Sequence, residues 1–123
     1  MALATILIVD DSRVSRMLIR AIITQAYPTL TIVEAGNGDE LLNKLPELDT
    51  THNFQFATVD LNMPGSIDGL ALVTELIKRY PNIKAGLLTA NIQDAIRQKA
   101  ENLGIRFIAK PITEEKILAF IQQ

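Results

Sequence analysis

Strand-like segments, each followed by a helix-like segment, recur five times along the chain and predict an α/β fold with a parallel sheet covered on both faces. Two further observations support this reading. Residues 4–9 and 54–60 are short apolar runs of the kind buried on both faces of a sheet. Capping and turn residues (Asp10-Asp11-Ser12, Gly36-Asn37-Gly38-Asp39, Met63-Pro64-Gly65, Gly104) stand where strands and helices would begin or stop. For five strands, the flavodoxin-like (βα)5 order 2-1-3-4-5 is the expected arrangement.

The first strand, 4–9, closes on Asp10-Asp11-Ser12, and Ser12 or Asp11 can cap a helix over 13–26. In that helix Val14, Leu18, Ala21, Ile22 and Gln25 share one largely apolar face. Tyr27-Pro28 ends it. A second strand spans 30–35. Asn37 or Asp39 caps the next helix, which runs to about Leu48 and is shortened or bent by Pro46. Residues 49–53 read as a polar connector, with His52 a solvated loop residue. The third strand, 54–60, ends on Asp60. A loop through Pro64, Gly65 and Gly69 leads to a helix over about 67–80, with Leu70, Val73, Leu76 and Ile77 at helical spacing. The fourth strand, 83–89, ends on Thr89, and a helix over 91–103 stops at Gly104. The fifth strand, 105–109, ends on Lys110-Pro111, and Thr113 opens the last helix.

The chain, 1–123, reads as one domain, and its 48% apolar residues suffice for a core. Met1 fits a native start. The absence of cysteine excludes disulfides and thiolate zinc sites and fits a reducing, cytoplasmic setting. The opening apolar run has no basic flank and meets Asp10-Asp11, unlike a signal peptide, and no run approaches the length of a membrane span. A net charge of −2 gives no nucleic-acid footprint.

In a parallel sheet the C-terminal strand ends share one edge. That edge gathers Asp10-Asp11, Asp60, Thr89 and Lys110; only the second strand's end brings nothing charged. Two carboxylates ~5 Å apart repel by roughly 3 kcal/mol at an effective dielectric of ~20. Lys110 alone cannot balance three, so a carboxylate takes a proton or a cation binds. Oxygen-only donors favour a hard divalent ion such as Mg²⁺ (or Mn²⁺). Such a pocket suits phosphoryl transfer. A carboxylate attacks in line, while Lys110 and the Thr89 hydroxyl meet the phosphoryl oxygens. The Lys110–Pro111 bond is a candidate for cis, which would aim the lysine inward. Taken singly, each residue has a plainer explanation: a cap at Asp10-Asp11, a turn at Asp60, a strand hydroxyl at Thr89, a strand exit at Lys110, core packing at Phe107. Capping explains each residue but not the set.

The motifs Ile6-Leu7-Ile8-Val9-Asp10-Asp11-Ser12, Asp60-Leu61-Asn62-Met63-Pro64, Thr89-Ala90 and Lys110-Pro111 resemble a response-regulator receiver domain over essentially the whole chain. The resemblance implies that Asp60 is a phospho-acceptor served by a sensor histidine kinase or phosphotransfer protein. It implies that Asp11, Asp60 and the Asn62 backbone carbonyl bind Mg²⁺, with Asp10 acting mainly through water. Thr89 and Lys110 would contact the phosphoryl group, and Phe107 would be the switch aromatic that remodels the helix 4/strand 5/helix 5 face when Thr89 moves. Asn62 and Asn91 stand where dephosphorylation is tuned. The implied protein is a signalling acceptor with self-catalysed phosphorylation and autodephosphorylation, monomeric or dimerising on phosphorylation, rather than an enzyme. From Pro64 to Asp68 the step is four residues where the family usually has three, so the loop beside Asp60 is one residue longer. The alternatives are an aspartate-nucleophile phosphohydrolase, which would carry Asp-x-Asp after the first strand, and a receiver-fold binding module without the chemistry. Flavin binding would require a hydroxyl-rich first loop, which is absent here.

Overall fold

In the computed structural model, which describes residues 2–123, the elements follow in the order β1 (Leu3–Val9), α1 (Arg13–Ala26), β2 (Thr31–Ala35), α2 (Gly38–Leu48), β3 (His52–Asp60), α3 (Gly69–Arg79), β4 (Lys84–Thr89), α4 (Asp94–Asn102), β5 (Arg106–Ala109) and α5 (Glu114–Gln122). All pairings are parallel, and the sheet order is β2-β1-β3-β4-β5, as expected. The order reverses at β1/β3, so Asp10 and Asp60 leave the sheet on either side of the switch point, where open parallel sheets present their crevice.

Alternating side chains of the central strands feed two cores. One gathers Leu7, Val9, Ala57, Val59 and Leu87 with Leu41 and Leu45 of α2 and Leu72, Val73 and Leu76 of α3. The other gathers Ile6, Ile8 and Leu88 with Ile19 and Ile23 of α1 and Ile117 and Phe120 of α5. Each side of the sheet is therefore dry, which accounts for the near-continuous apolar character of β1 and β3.

Four expectations change. Residues 52–53 are not connector: β3 begins at His52, because Leu3 and Ala4 pair with His52 and Asn53, and the His52 ring stacks on Phe54 at 6.0 Å. His52 is accordingly half-buried rather than solvated. The buried face of α1 is made by Ile19 and Ile23, while Val14 and Leu18 are 66% and 49% exposed; the apolar stripe at Val14 and Leu18 lies about 100° or more around the helix from the side that meets the sheet. The helix after the Asp60 loop starts at Gly69, not 67, since Asp68 caps it by accepting from the Ala71 amide at 2.8 Å. The fourth helix starts at Asp94, not 91, and its N-cap, Gln93, makes no side-chain cap bond. Elsewhere the caps resolve cleanly: Ser12 for α1, Asn37 for α2, Thr113 for α5. Pro46 is accommodated within α2, which still reaches Leu48.

One core residue is polar without a partner. Thr58 is fully buried in β3, and among the described residues its Oγ1 meets no hydrogen-bond partner. Desolvating an unpaired hydroxyl costs free energy that an isosteric methyl does not. Thr58→Val is expected to raise the unfolding free energy by about 1 kcal/mol, read as a higher urea midpoint at unchanged slope. A lower midpoint would mean that the hydroxyl is satisfied.

Candidate functional site

Three carboxylates meet at the switch point. Asp10, at the end of β1, is fully buried, Asp60, at the end of β3, is nearly so, and Asp11 is exposed at the rim. Each offers an oxygen within 4.8 Å of the others. From the end of β5, Lys110 reaches in, with Nζ 3.1 Å from Asp60 Oδ1 and 4.0 Å from Asp10 Oδ2. The Lys110–Pro111 peptide is cis. Strands separated by about fifty residues of sequence thus supply a single pocket, as their shared sheet edge requires.

The charge balance is unfavourable as it stands. Burial pushes the Asp60 carboxyl up from its ordinary value; the Lys110 ammonium pulls against this and Asp11 adds to it. Burial likewise raises Asp10, opposed by the Ser12 amide, which donates to Asp10 Oδ1 at 2.8 Å. Asp10 Oδ2 is buried and accepts no hydrogen bond among the described residues. A hard divalent cation fits this donor set, since it is all oxygen, carries excess negative charge and includes one buried carboxylate oxygen that accepts no hydrogen bond.

The remaining expected residues are placed as follows. Thr89, buried at the end of β4, has its hydroxyl engaged with Asn91, donating to the Asn91 carbonyl at 3.0 Å and accepting from the Asn91 amide at 3.2 Å. It belongs to the pocket edge, but its hydroxyl is not on Lys110 or Asp60. Asn62 is exposed in the loop after Asp60. Phe107 lies half-buried on β5, packed against the α2/α3-side core, and borders a groove of about 270 Å³ with Arg106, Ala109, Lys116 and Phe120.

Sequence reasoning missed Arg16 and Glu34. The Arg16 guanidinium donates to the Asp10 carbonyl at 2.5 Å and pairs with Glu34 at 3.1 Å; Arg20 holds the other Glu34 oxygen at 2.6 Å. The end of the second strand still brings no charge into the pocket; Glu34 acts one step back, by holding the arginine that binds the Asp10 carbonyl. The spacing of Arg16 and Arg20, four apart on α1, was the available signal.

A doubly wound α/β domain with an all-oxygen acidic pocket at its switch point, closed by one lysine, is the class that fold and site define. The chain belongs to the response regulator receiver domain family, whose model matches residues 6–122. It is 33% identical over 114 residues to the chemotaxis protein CheY of Thermotoga maritima, covering 92% of this chain and 90% of that one. Among solved structures it is similar to chemotaxis protein CheY4 of Vibrio cholerae (25% identity, TM-score 0.82, 98% of each chain covered). It is also similar to the isolated receiver domain of RcsB from Salmonella enterica serovar Typhimurium, determined in the presence of the phosphomimetic BeF3⁻ (27% identity, TM-score 0.79, 97% and 88% covered). The chain is thus a receiver domain of the two-component signalling class. Among the described residues no helix is long and apolar enough to cross a membrane.

Proposed function

We propose that this receiver accepts a phosphoryl group on Asp60 from the phosphohistidine of a sensor histidine kinase or phosphotransfer protein. The observation that carries the reading is the Lys110 ammonium 3.1 Å from Asp60 Oδ1, at the floor of a three-carboxylate pocket. In the reaction an Asp60 oxygen attacks phosphorus in line, the P–N bond to the donor imidazole breaks, and an acyl phosphate forms. Asp10, Asp11, Asp60 and the Asn62 backbone carbonyl would hold Mg²⁺ or Mn²⁺. When bound, the cation neutralises charge building on the phosphoryl oxygens. Lys110 contributes a second positive charge to the same oxygens. The RcsB receiver's use with a phosphomimetic is consistent with this chemistry.

Thr89 releases Asn91 to donate to a phosphoryl oxygen, and Phe107 turns into the space vacated. The groove between β5 and α5 then changes shape, which shifts the population toward a partner-binding state. With no tyrosine hydroxyl on Phe107, that switch rests on packing alone. Asn62 and Asn91 flank the acyl phosphate and tune its hydrolysis. The domain acts as a cytoplasmic signalling acceptor whose only chemistry is on itself, monomeric or pairing when phosphorylated.

Incubation with acetyl phosphate and Mg²⁺ is expected to add about 80 Da to the intact mass. The adduct should map to the peptide containing Asp60 and disappear when the metal is chelated. An adduct on another residue, or none with Mg²⁺ bound, would count against this assignment.

A further inference from the structure

The loop between β3 and α3 is fastened to a third element, the start of α2. The Asp39 carboxylate accepts two hydrogen bonds from Ser66: the backbone amide donates to Oδ2 at 2.9 Å, and the hydroxyl donates to Oδ1. These bonds hold the Asp39 carboxyl below its ordinary range, the hydroxyl's contribution being the larger. The approach is close. A Cβ on Gly65, whose φ is +114°, would stand 2.7 Å from Asp39 Oδ2, and one on Gly38 would stand 2.3 Å from Ile67 Cγ2. Helix α2 does not need Asp39 as its cap, because Asn37 Oδ1 already accepts from the Glu40 amide at 2.8 Å. At the loop's other end the Gly69 amide donates to the Leu61 carbonyl at 3.2 Å. Asn62 and Met63 are therefore suspended between two fixed points.

We infer that Asp39 and Ser66 are positioning residues for the Asp60 pocket. Their clasp holds the β3–α3 loop, and with it the Asn62 backbone next to Asp60, in one arrangement before any cation arrives. The inference rests on the phospho-acceptor reading above. An unfastened loop samples more backbone states, and recruiting its carbonyl into a coordination shell must remove them; the clasp removes them in advance. Neither residue is among the pocket's carboxylates or its lysine, and Ser66→Ala, which weakens the clasp without removing a charge, separates positioning from the through-space effect of losing the Asp39 carboxylate.

The test is calorimetric titration of the full chain with Mg²⁺ alone, followed by the Mg²⁺ dependence of the acetyl phosphate adduct. Ser66→Ala keeps the amide bond and loses the hydroxyl's; Asp39→Ala loses both; Ser66→Thr keeps both. Asp49→Ala is a matched control, removing the carboxylate that accepts from the Tyr80 hydroxyl where α2 and α3 end, far from the pocket. The Mg²⁺ Kd is expected to rise about threefold in Ser66→Ala and about tenfold in Asp39→Ala, with Ser66→Thr and Asp49→Ala near wild type. The concentration giving half-maximal adduct should move in the same order. Wild-type Mg²⁺ affinity in Asp39→Ala overturns the clasp and leaves the phospho-acceptor reading standing. An equal loss in Asp49→Ala also overturns it, since the effect would then be general destabilisation. A wild-type chain that takes up neither Mg²⁺ nor phosphoryl group removes both readings.

Discussion

Asp60→Asn is expected to lose the phosphoryl adduct entirely while making the metal-free protein more stable at neutral pH. The amide is nearly isosteric with the carboxylate and can still accept from Lys110, so the pocket keeps its shape. It has no anionic oxygen to attack phosphorus, and the chemistry stops. Stability moves the other way because the folded protein disfavours the ionised Asp60: burial raises its pKa more than Lys110 lowers it. The raised carboxyl contributes its full stability below the unfolded-state pKa, near 4, and loses it as pH rises through the folded value. The advantage of asparagine is accordingly absent in acid and grows as pH rises through the folded value. Urea unfolding of both proteins at several pH values, without divalent metal, measures it. Curves that stay parallel across the titration, or an advantage that grows toward acid, would contradict the charge balance described here.

Gly69→Ala is expected to be the most damaging single methyl in the pocket's frame. Its Cβ would fall 2.3 Å from the Asp60 carbonyl oxygen and 2.7 Å from Leu61 Cα. Both are backbone atoms at the end of the central strand, so nothing flexible can give way. Either α3 lifts from β3 or Asp60 moves away from Lys110. A loss of about 3 kcal/mol is expected, together with loss of phosphorylation in whatever remains folded. Gly104→Ala makes the useful comparison. There φ is +75° but no heavy atom lies within 4 Å of the added carbon, so only left-handed backbone strain of about 1 kcal/mol applies. If the two substitutions cost the same in a denaturant titration, the close approach at Gly69 is not what stabilises the α3 junction.

The two glycines also mark how far the sequence could be read. Gly104 follows helical periodicity and stands at a chain reversal, so its role as a helix stop was visible locally. Gly69 was visible only as a loop glycine, because the atoms it must avoid belong to Asp60 and Leu61, folded back against it. Asp39 is similar: as a carboxylate in a first helical turn it read as a cap candidate, yet Asn37 caps and Asp39 instead reaches Ser66, twenty-seven positions on.

The sheet order and the gathering of Asp10, Asp11, Asp60 and Lys110 at one edge were legible because they depend on local signals: apolar runs long enough for strands, polar residues that end them, and the rule that parallel strands share an edge. The motifs around Asp10-Asp11, Asp60, Thr89 and Lys110-Pro111 by themselves resemble those of the receiver family. Register and helix rotation were not legible. His52 entered β3 because Leu3 pairs with it, a choice made by a strand fifty residues away. Val14 and Leu18 face outward because α1 meets the sheet through Ile19 and Ile23, and an apolar stripe does not say which neighbour will cover it. The Thr89–Asn91 bonds, the Arg16 hold on the Asp10 carbonyl and the Asp39–Ser66 clasp likewise arise between side chains and backbone brought together by packing. Local chemistry thus determined which groups this chain brings to its pocket, and tertiary packing decided how each is held, because burial, register and hydrogen-bond partners are properties of neighbours that the linear order does not contain.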